Sequence, residues 1–436
     1  MQADTVVATT AEEAPNRVWW RWDARPVWQS AVAAWVGQRL LVGALVAAWQ
    51  TLLLTFAPEQ FLHIWNVYQG GQYTSITLFG HRIAPQLAYF YRVWTLFDGI
   101  WFTSIARYGY RIVPQAAYSP LYPLLIRLTT PLAGGHITLA GLLVANACSL
   151  GAFVILGRLV ERQFGAPVAR RTLFYYAIFP TGLFFASEFT EGLFLLLSVA
   201  AFLLMRQRRW TLSGALIALA ALTRSQGMLL LAPLTIEAGV WLWREWREWA
   251  HTQRLRAALA LSGAFALPLA AYFGFDLYLA WQYAMPNVAV RALTYTTWRR
   301  YLDWPWVGVT NNFVTLVTGG PSAPRLEVLT DFVFLAFWLG ACIVMLLPVR
   351  LKLPRLPASW IGYSWLSLAP SLLLPAHIPG GGLMSISRYA LVVFPCLVLM
   401  ALLGNRYPRA HRLMVALCIA WMIILTRLVA SELFVA

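Results

Sequence analysis

Uninterrupted apolar runs recur along almost the whole chain, many of them about 18 residues or longer, the length a helix needs to cross a bilayer core. Hydrophobic residues make up 60% of the 436 positions and charged residues only 11%. No stretch between the runs is long or balanced enough for a separate soluble domain. The expectation is an all-α polytopic membrane protein in which residues 1–436 form one integral domain. Neither a low-complexity tract nor a short-period repeat interrupts it.

The runs place spans near Val32 to Phe56, Ile137 to Leu156, Leu173 to Ser187, Leu193 to Met205, Leu212 to Leu222, Met228 to Trp243 and Leu255 to Tyr278. Four more fall near Phe332 to Leu347, Trp360 to Leu374, Leu391 to Leu403 and Leu413 to Val429, about eleven in all. Several are short for an upright crossing and would need their polar flanks. The first 27 residues carry Arg17, Arg21 and Arg25 without a short apolar core and cleavage site, so the first span is expected to act as its own insertion signal.

Short cytoplasmic loops collect arginine and lysine, and alternate loops here do. With residues 1–27 cytoplasmic, the inner loops are Arg158 to Arg171, Arg206 to Arg209, Trp243 to Arg256, Val349 to Arg355 and Gly404 to Arg412, all basic. That placement accounts for much of the net charge of +16, which in a soluble chain would suggest nucleic acid. Nucleic-acid binding is therefore not expected. The four cysteines, Cys148, Cys342, Cys396 and Cys418, sit singly in apolar sequence and read as small core residues.

The opposite face receives a first extracytoplasmic loop, 57–136, and a second large one, 283–330. Asp98, Glu188, Glu191, Arg224, Asp303, His377 and Arg388 come to that face from scattered spans, which points to an extracytoplasmic site. In the first loop, Pro85 to Trp94 and Gly99 to Tyr110 mix large aromatics with arginine, the composition of helices lying along a membrane surface. Asp98 stands at the start of the second of these, where it suits either chemistry or helix capping. Glu191 opens an apolar run and could cap it, pair with arginine or hold a sugar. The aromatic-rich stretch from Tyr283 to Trp306, with Trp298, Arg299 and Arg300, fits an acceptor cleft or an interfacial belt. His377 has no second histidine or acid at ligand spacing, so no metal site is expected.

Five strings, in order, resemble the PIG-V-type GPI mannosyltransferases and their bacterial relatives, polytopic glycosyltransferases of the GT-C fold. FDGIWFTSIARYGY carries Asp98 at the acidic position, with Ile105, Ala106, Gly109 and Tyr110 in register. YSPLYPLL (Tyr118 to Leu125) is similar to a proline-bracketed run of the family. IFPTGLFFASEFTEGLFLLL matches at Glu191, ALTRSQGMLLL at Arg224 and Gly227, and SISRYALVVFPCLVLMA at Arg388 and Tyr389. Two departures stand out. Phe97 replaces the usual tryptophan before the acid, and Gly99 stands where many GT-C enzymes carry a second acid, so a paired carboxylate is not implied.

The resemblance implies a GT-C-like bundle and transfer of a sugar, mannose above all, from a polyprenyl-phosphate-sugar donor to a lipid-linked or glycolipid acceptor hydroxyl. It implies an inverting, metal-independent step without a cofactor. Asp98 would be the base, and Arg224 and Arg388 would hold the donor phosphate, since a guanidinium makes paired, charge-assisted bonds to phosphate. Snorkelling span ends are the alternative for both arginines. Glu191, Arg107, Tyr110, Gln226 and Tyr389 are further substrate-binding candidates. Arginine-rich composition with the single lysine Lys352, and compact loops, suggest a prokaryotic plasma membrane. The competing readings are a lipid-linked sugar flippase or solute transporter, and a GT-C enzyme using another sugar or a protein acceptor. A transporter would place its charges near mid-span and often show internal symmetry.

Overall fold

The computed structural model describes residues 26–57, 59, 77–78, 81–82, 90–295, 298–319, 325–348, 350–378 and 380–431. The expected cytoplasmic segment 1–25, residues 85–89 of the first surface segment, and 320–324 of the second large loop lie outside them. The described chain is overwhelmingly helical; β1 (Thr77–Leu78) and β2 (His81–Arg82) form a short antiparallel ladder.

In chain order the helices run α1 (Val27–Phe56), α2 (Asp98–Tyr108), α3 (Leu121–Thr129), α4 (Ile137–Phe164), α5 (Ala166–Ile178) and α6 (Glu191–Arg206). There follow α7 (Trp210–Ala221), α8 (Leu231–Glu245), α9 (His251–Tyr283), α10 (Val288–Tyr295) and α11 (Val307–Thr318). The last are α12 (Arg325–Met345), α13 (Ala358–Leu373), α14 (Ile386–Val392), α15 (Phe394–Arg406) and α16 (Pro408–Ala430).

All eleven expected runs fall on helix, but their lengths differ from the expectation. Among the described residues, five helices are long and apolar enough to cross a membrane: α1, α4, α9, α12 and α16. The bent pair α14 and α15 makes a sixth if taken as one span. The remaining runs form helices of 12 to 16 residues, about 18 to 24 Å long, short of a hydrocarbon core of about 30 Å.

Proline explains two of the shortened runs. The run expected from Leu173 to Ser187 leaves α-geometry at Phe179, and Pro180 opens a 3-10 turn through Phe185. The run from Leu391 to Leu403 contains Pro395, which cannot donate to the carbonyl of Leu391, and the two helices meet at 72°. Tyr176 Oη donates to that freed carbonyl at 3.2 Å.

Small residues set the closest helix approaches. A Cβ on Gly214 of α7 would lie 2.4 Å from the Ala264 backbone of α9, and one on Gly192 of α6 would lie 2.9 Å from the Ala145 carbonyl of α4. One hydrophobic cluster runs from Val27 to Ala430 through these contacts. By contrast, only 11% of the apolar window of α9 is buried, so most of that helix faces outward.

Loops expected on one side meet one another. Arg206 donates to Gln163 at 3.0 Å, Arg208 pairs with Glu245 at 2.6 Å, and Tyr407 Oη donates to the Leu351 carbonyl at 3.0 Å, joining five of the basic segments in two groups. At the other end Leu121 N–H donates to Leu222 O at 2.9 Å, Glu188 N–H to Trp94 O at 2.8 Å, and His377 N–H to Arg299 O at 3.1 Å.

Candidate active site

These cross-links assemble a cavity of about 430 Å³ at the acid-bearing end. Its wall is drawn from six separate segments: Phe97, Asp98, Trp101 and Phe102 with the start of α2; Ala117, Tyr118 and Ser119; Thr190; the turn Thr223 to Gln226; Leu293, Trp298 and Arg300; and Ile378, Met384, Ser385, Arg388 and Tyr389.

Three wall segments are set by backbone that non-glycine residues seldom adopt. Phe97 has φ 56°, Arg299 φ 43° and Ser385 φ 74°, each costing about 1–3 kcal/mol and each preceding a charged wall residue. Phe97 turns the chain into α2 so that Asp98 is its first residue. Ser385 does the same for α14, delivering Arg388 one turn later. Arg224 is delivered by a different device. Gly227 packs so tightly on the end of α7 that a Cβ would stand 2.3 Å from Ala221 N, which folds the turn back on the helix.

The charged side chains form one connected chain. Arg388 Nη1 donates to Asp98 Oδ2 at 2.6 Å, and Arg388 Nε lies 3.0 Å from Glu191 Oε1, off hydrogen-bond direction. Arg224 Nη1 donates to the same Glu191 Oε1 at 2.6 Å. On the other flank, Tyr118 Oη donates to Asp98 Oδ1 at 3.1 Å. Glu191 is wholly buried behind the wall, whereas the Asp98 side chain keeps 15% of its surface open to the cavity. Charges this enclosed are retained only when paired and hydrogen-bonded.

Aromatic rings complete the enclosure. Arg388 lies over the faces of Phe189 at 5.3 Å and Tyr389 at 6.0 Å, and Arg224 over Tyr389 at 5.1 Å. Tyr118 stacks on Trp101 and meets Trp298 edge-on. Burial, then the neighbouring Asp98 carboxylate, push the Tyr118 phenol well above its ordinary value, so it stays protonated as a donor.

Of the residues singled out from sequence, Asp98, Arg224, Arg388, Gln226 and Tyr389 line the cavity, and Glu191 joins two of them from behind. Arg107 and Tyr110 are not brought to it. Arg107 is exposed at the far end of α2 beside the Tyr108 ring. Tyr110 is buried against Phe275 and Tyr278, where its hydroxyl donates to the Tyr118 carbonyl at 2.7 Å and so supports the wall indirectly. Asp303 and His377 face each other at 3.6 Å outside the cavity wall.

Sequence reasoning passed over Tyr118 and left Arg300 as one of several residues in an aromatic loop. Tyr118 opens one of the matching strings, and that position was the available signal. Glu188 occupies a slot made by two glycines: Cβ atoms on Gly99 and Gly141 would stand 3.0 and 2.0 Å from its carboxyl oxygens. Burial raises that carboxyl well above its usual range. Among the described residues, no group of three or more His, Cys, Asp or Glu side chains is arranged to hold a metal ion.

The sequence family described as dolichyl-phosphate-mannose-protein mannosyltransferase matches residues 117–272, about a third of the chain. The matched part includes Tyr118, Glu191 and Arg224 but neither Asp98 nor Arg388. No curated protein matches the chain. Similar solved structures include the Archaeoglobus fulgidus oligosaccharyltransferase in complex with zinc and sulfate, at 12% identity and a TM-score of 0.36 over 90% of this chain and 53% of that one. The same protein tethered to an acceptor peptide gives 12% and 0.39, and its apo form 14% and 0.35, each over 90% of this chain and 55% of that one. The chain thus spans about half the length of these structures, and at such scores no residue role follows from the likeness.

Proposed function

We propose that this protein is a membrane glycosyltransferase of GT-C type that moves a mannosyl group from a polyprenyl-phosphate donor to an acceptor hydroxyl, working at the extracytoplasmic face of a prokaryotic plasma membrane. The observation that carries the reading is the connected chain Tyr118, Asp98, Arg388, Glu191 and Arg224 on one cavity. An acceptor hydroxyl becomes a nucleophile when a carboxylate takes its proton, and a departing phosphate needs cations nearby as its charge grows. Asp98 is the base in this scheme. The acceptor oxygen bonds to the sugar C1 as the C1–O bond to phosphate breaks on the opposite side, giving inversion, and the proton passes to Asp98. Arg224 and Arg388 hold the phosphate oxygens.

Support also comes from the family match over residues 117–272, whose name specifies a dolichyl-phosphate-mannose donor. The same name specifies a protein acceptor, so peptide hydroxyls stand as a second acceptor class beside the lipid-linked and glycolipid acceptors that the sequence motifs suggest. A transporter would place its charges at mid-span, whereas Asp98, Arg224 and Arg388 all stand at or beside helix starts and turns.

The test supplies purified protein with radiolabelled polyprenyl-phosphate mannose and a panel of lipid and peptide acceptors, comparing the native chain with Asp98→Asn. Transfer to one acceptor class, lost in the variant, is the expected result. Undiminished transfer by Asp98→Asn would remove the base assignment, and no transfer from any lipid-phosphate sugar would remove the enzyme reading.

A further inference from the structure

The two arginines that sequence motifs assign to the phosphate already have carboxylate partners, whereas Arg300 does not. Its Nη2 donates to the Met384 carbonyl at 2.7 Å and its Nη1 to the Leu374 carbonyl at 3.2 Å, and among the described residues no carboxylate lies within ion-pair distance. Those neutral bonds fix the guanidinium and, among the described residues, leave three of its five N–H donors uncommitted. Its backbone is pinned as well: Arg300 N–H donates to Leu293 O at 2.8 Å, and the residue bridges to Ala376. Arg224, Arg300 and Arg388 all line the same cavity, together with Tyr389.

We infer that Arg300 is a third phosphate-binding residue of this site, beside Arg224 and Arg388, and that it matches the charge of the cavity to the single phosphate of the proposed donor. The inference rests on the glycosyltransferase reading for the identity of the anion. Of the charged side chains that line the cavity or pair with its lining, three are guanidiniums (Arg224, Arg300 and Arg388) and two are carboxylates (Asp98 and Glu191), a surplus of one positive charge, while Asp331, bonded to Asn312, acts on Arg300 from outside the cavity wall. A sugar joined to a lipid through one phosphate is a phosphodiester with a single negative charge, so the loaded site is neutral.

Neutrality persists through the reaction. As C1–O breaks, the phosphate keeps the electron pair and becomes a dianion, while the acceptor proton neutralises Asp98. The protein then contributes two uncompensated positive charges to match it. Protonating Asp98 also removes the carboxylate facing Arg388 Nη1, which frees that donor for the phosphate. A diphosphate-linked sugar would carry one more negative charge at each stage, and this residue set would leave it unbalanced.

Binding can be measured without turnover, in detergent micelles free of divalent metal, using short-chain prenyl-phosphate mannose and its prenyl-diphosphate counterpart. The native protein should prefer the monophosphate. Arg300→Gln should weaken monophosphate binding about tenfold to a hundredfold, the range for a lost bond to a charged group, and Arg300→Lys should recover part of it. Unfolding midpoints without ligand control for loss of the Leu374 and Met384 contacts. Unchanged monophosphate affinity in a folded Arg300→Gln overturns the assignment, as does tighter binding of the diphosphate by the native protein. Should Arg300→Gln fail to fold, the native preference and the Lys variant still decide. If the native protein binds the phosphodiester in this pattern but transfers no sugar, the proposed function fails and the binding assignment stands. If it transfers and Arg300→Gln binds normally, the assignment alone fails.

Discussion

Glu191 offers the sharpest test of how the site is held. Its carboxylate is fully buried and one oxygen serves both Arg224 at 2.6 Å and Arg388 at 3.0 Å, while the Arg224 side chain is 9% exposed. Removing one member of a pair this enclosed costs about 3–5 kcal/mol, because the other charge is left buried. Glu191→Gln keeps the volume and an acceptor oxygen, so the cost should fall near the lower end, about 3 kcal/mol. Arg224→Gln should cost a similar amount, since Glu191 then keeps only its off-axis contact with Arg388. The double variant removes both charges and keeps the Arg388–Asp98 pair. It should therefore cost about 3–4 kcal/mol, well under the sum of the single changes, for a coupling of about 2–3 kcal/mol. Unfolding in mixed micelles with rising SDS fraction, followed by tryptophan fluorescence, measures all four corners. Single costs below about 1 kcal/mol that simply add would place the pair among solvent-screened salt bridges and refute this account of its burial.

Three further outcomes are expected. Glu188→Gln should flatten the pH dependence of stability: the folded value lies above the unfolded 4.5, so both states hold the proton below that pH, and above it ionisation progressively favours the unfolded native chain. Unfolding midpoints should then show the variant gaining on the native protein as pH rises from about 4.5, and parallel curves would contradict it. Gly227→Ala should destabilise by about 1–3 kcal/mol or more, because its methyl would meet Ala220 and Ala221 backbone at 2.3 Å, and it should weaken prenyl-phosphate binding by shifting Arg224; a native unfolding midpoint would speak against the close approach. Tyr118→Phe removes the donor to Asp98 while preserving the ring packing, so transfer should slow by about tenfold with little change in unfolding, and native rates would show that the hydrogen bond does not orient the carboxylate.

The residues most legible from sequence were those whose cost in apolar surroundings is visible without coordinates. Asp98, Glu191, Arg224 and Arg388 are charges at the edges of apolar runs, and motif order set them apart from other arginines. Their contacts were not legible, since Asp98 and Arg388 meet across 290 positions and nothing local encodes the pairing. Arg107 shares a motif with Asp98, yet on α2 it lies nine residues on, at the opposite end of the helix. Apolarity alone also hid the breaks: Leu391 to Leu403 reads as one span because Pro395 barely lowers its hydrophobicity, although it removes a backbone donor. That proline is why α14 departs from α15 at 72° and carries Arg388 to the cavity.

The geometry of Asp98 ties the proposed base directly to the proposed phosphate anchor. The Asp98 carboxylate is engaged by Arg388 on one oxygen and Tyr118 on the other, an arrangement that holds it in place. In the proposed reaction an incoming phosphate would compete for Arg388, and every hydrogen bond it drew from that guanidinium would loosen the hold on Asp98. Phe97 and Ser385 make this coupling short-range, because both strained residues stand at the starts of the helices carrying the two partners. A displacement of either helix start would separate the proposed base from the proposed phosphate anchor, so strain at these two positions holds one ion pair together.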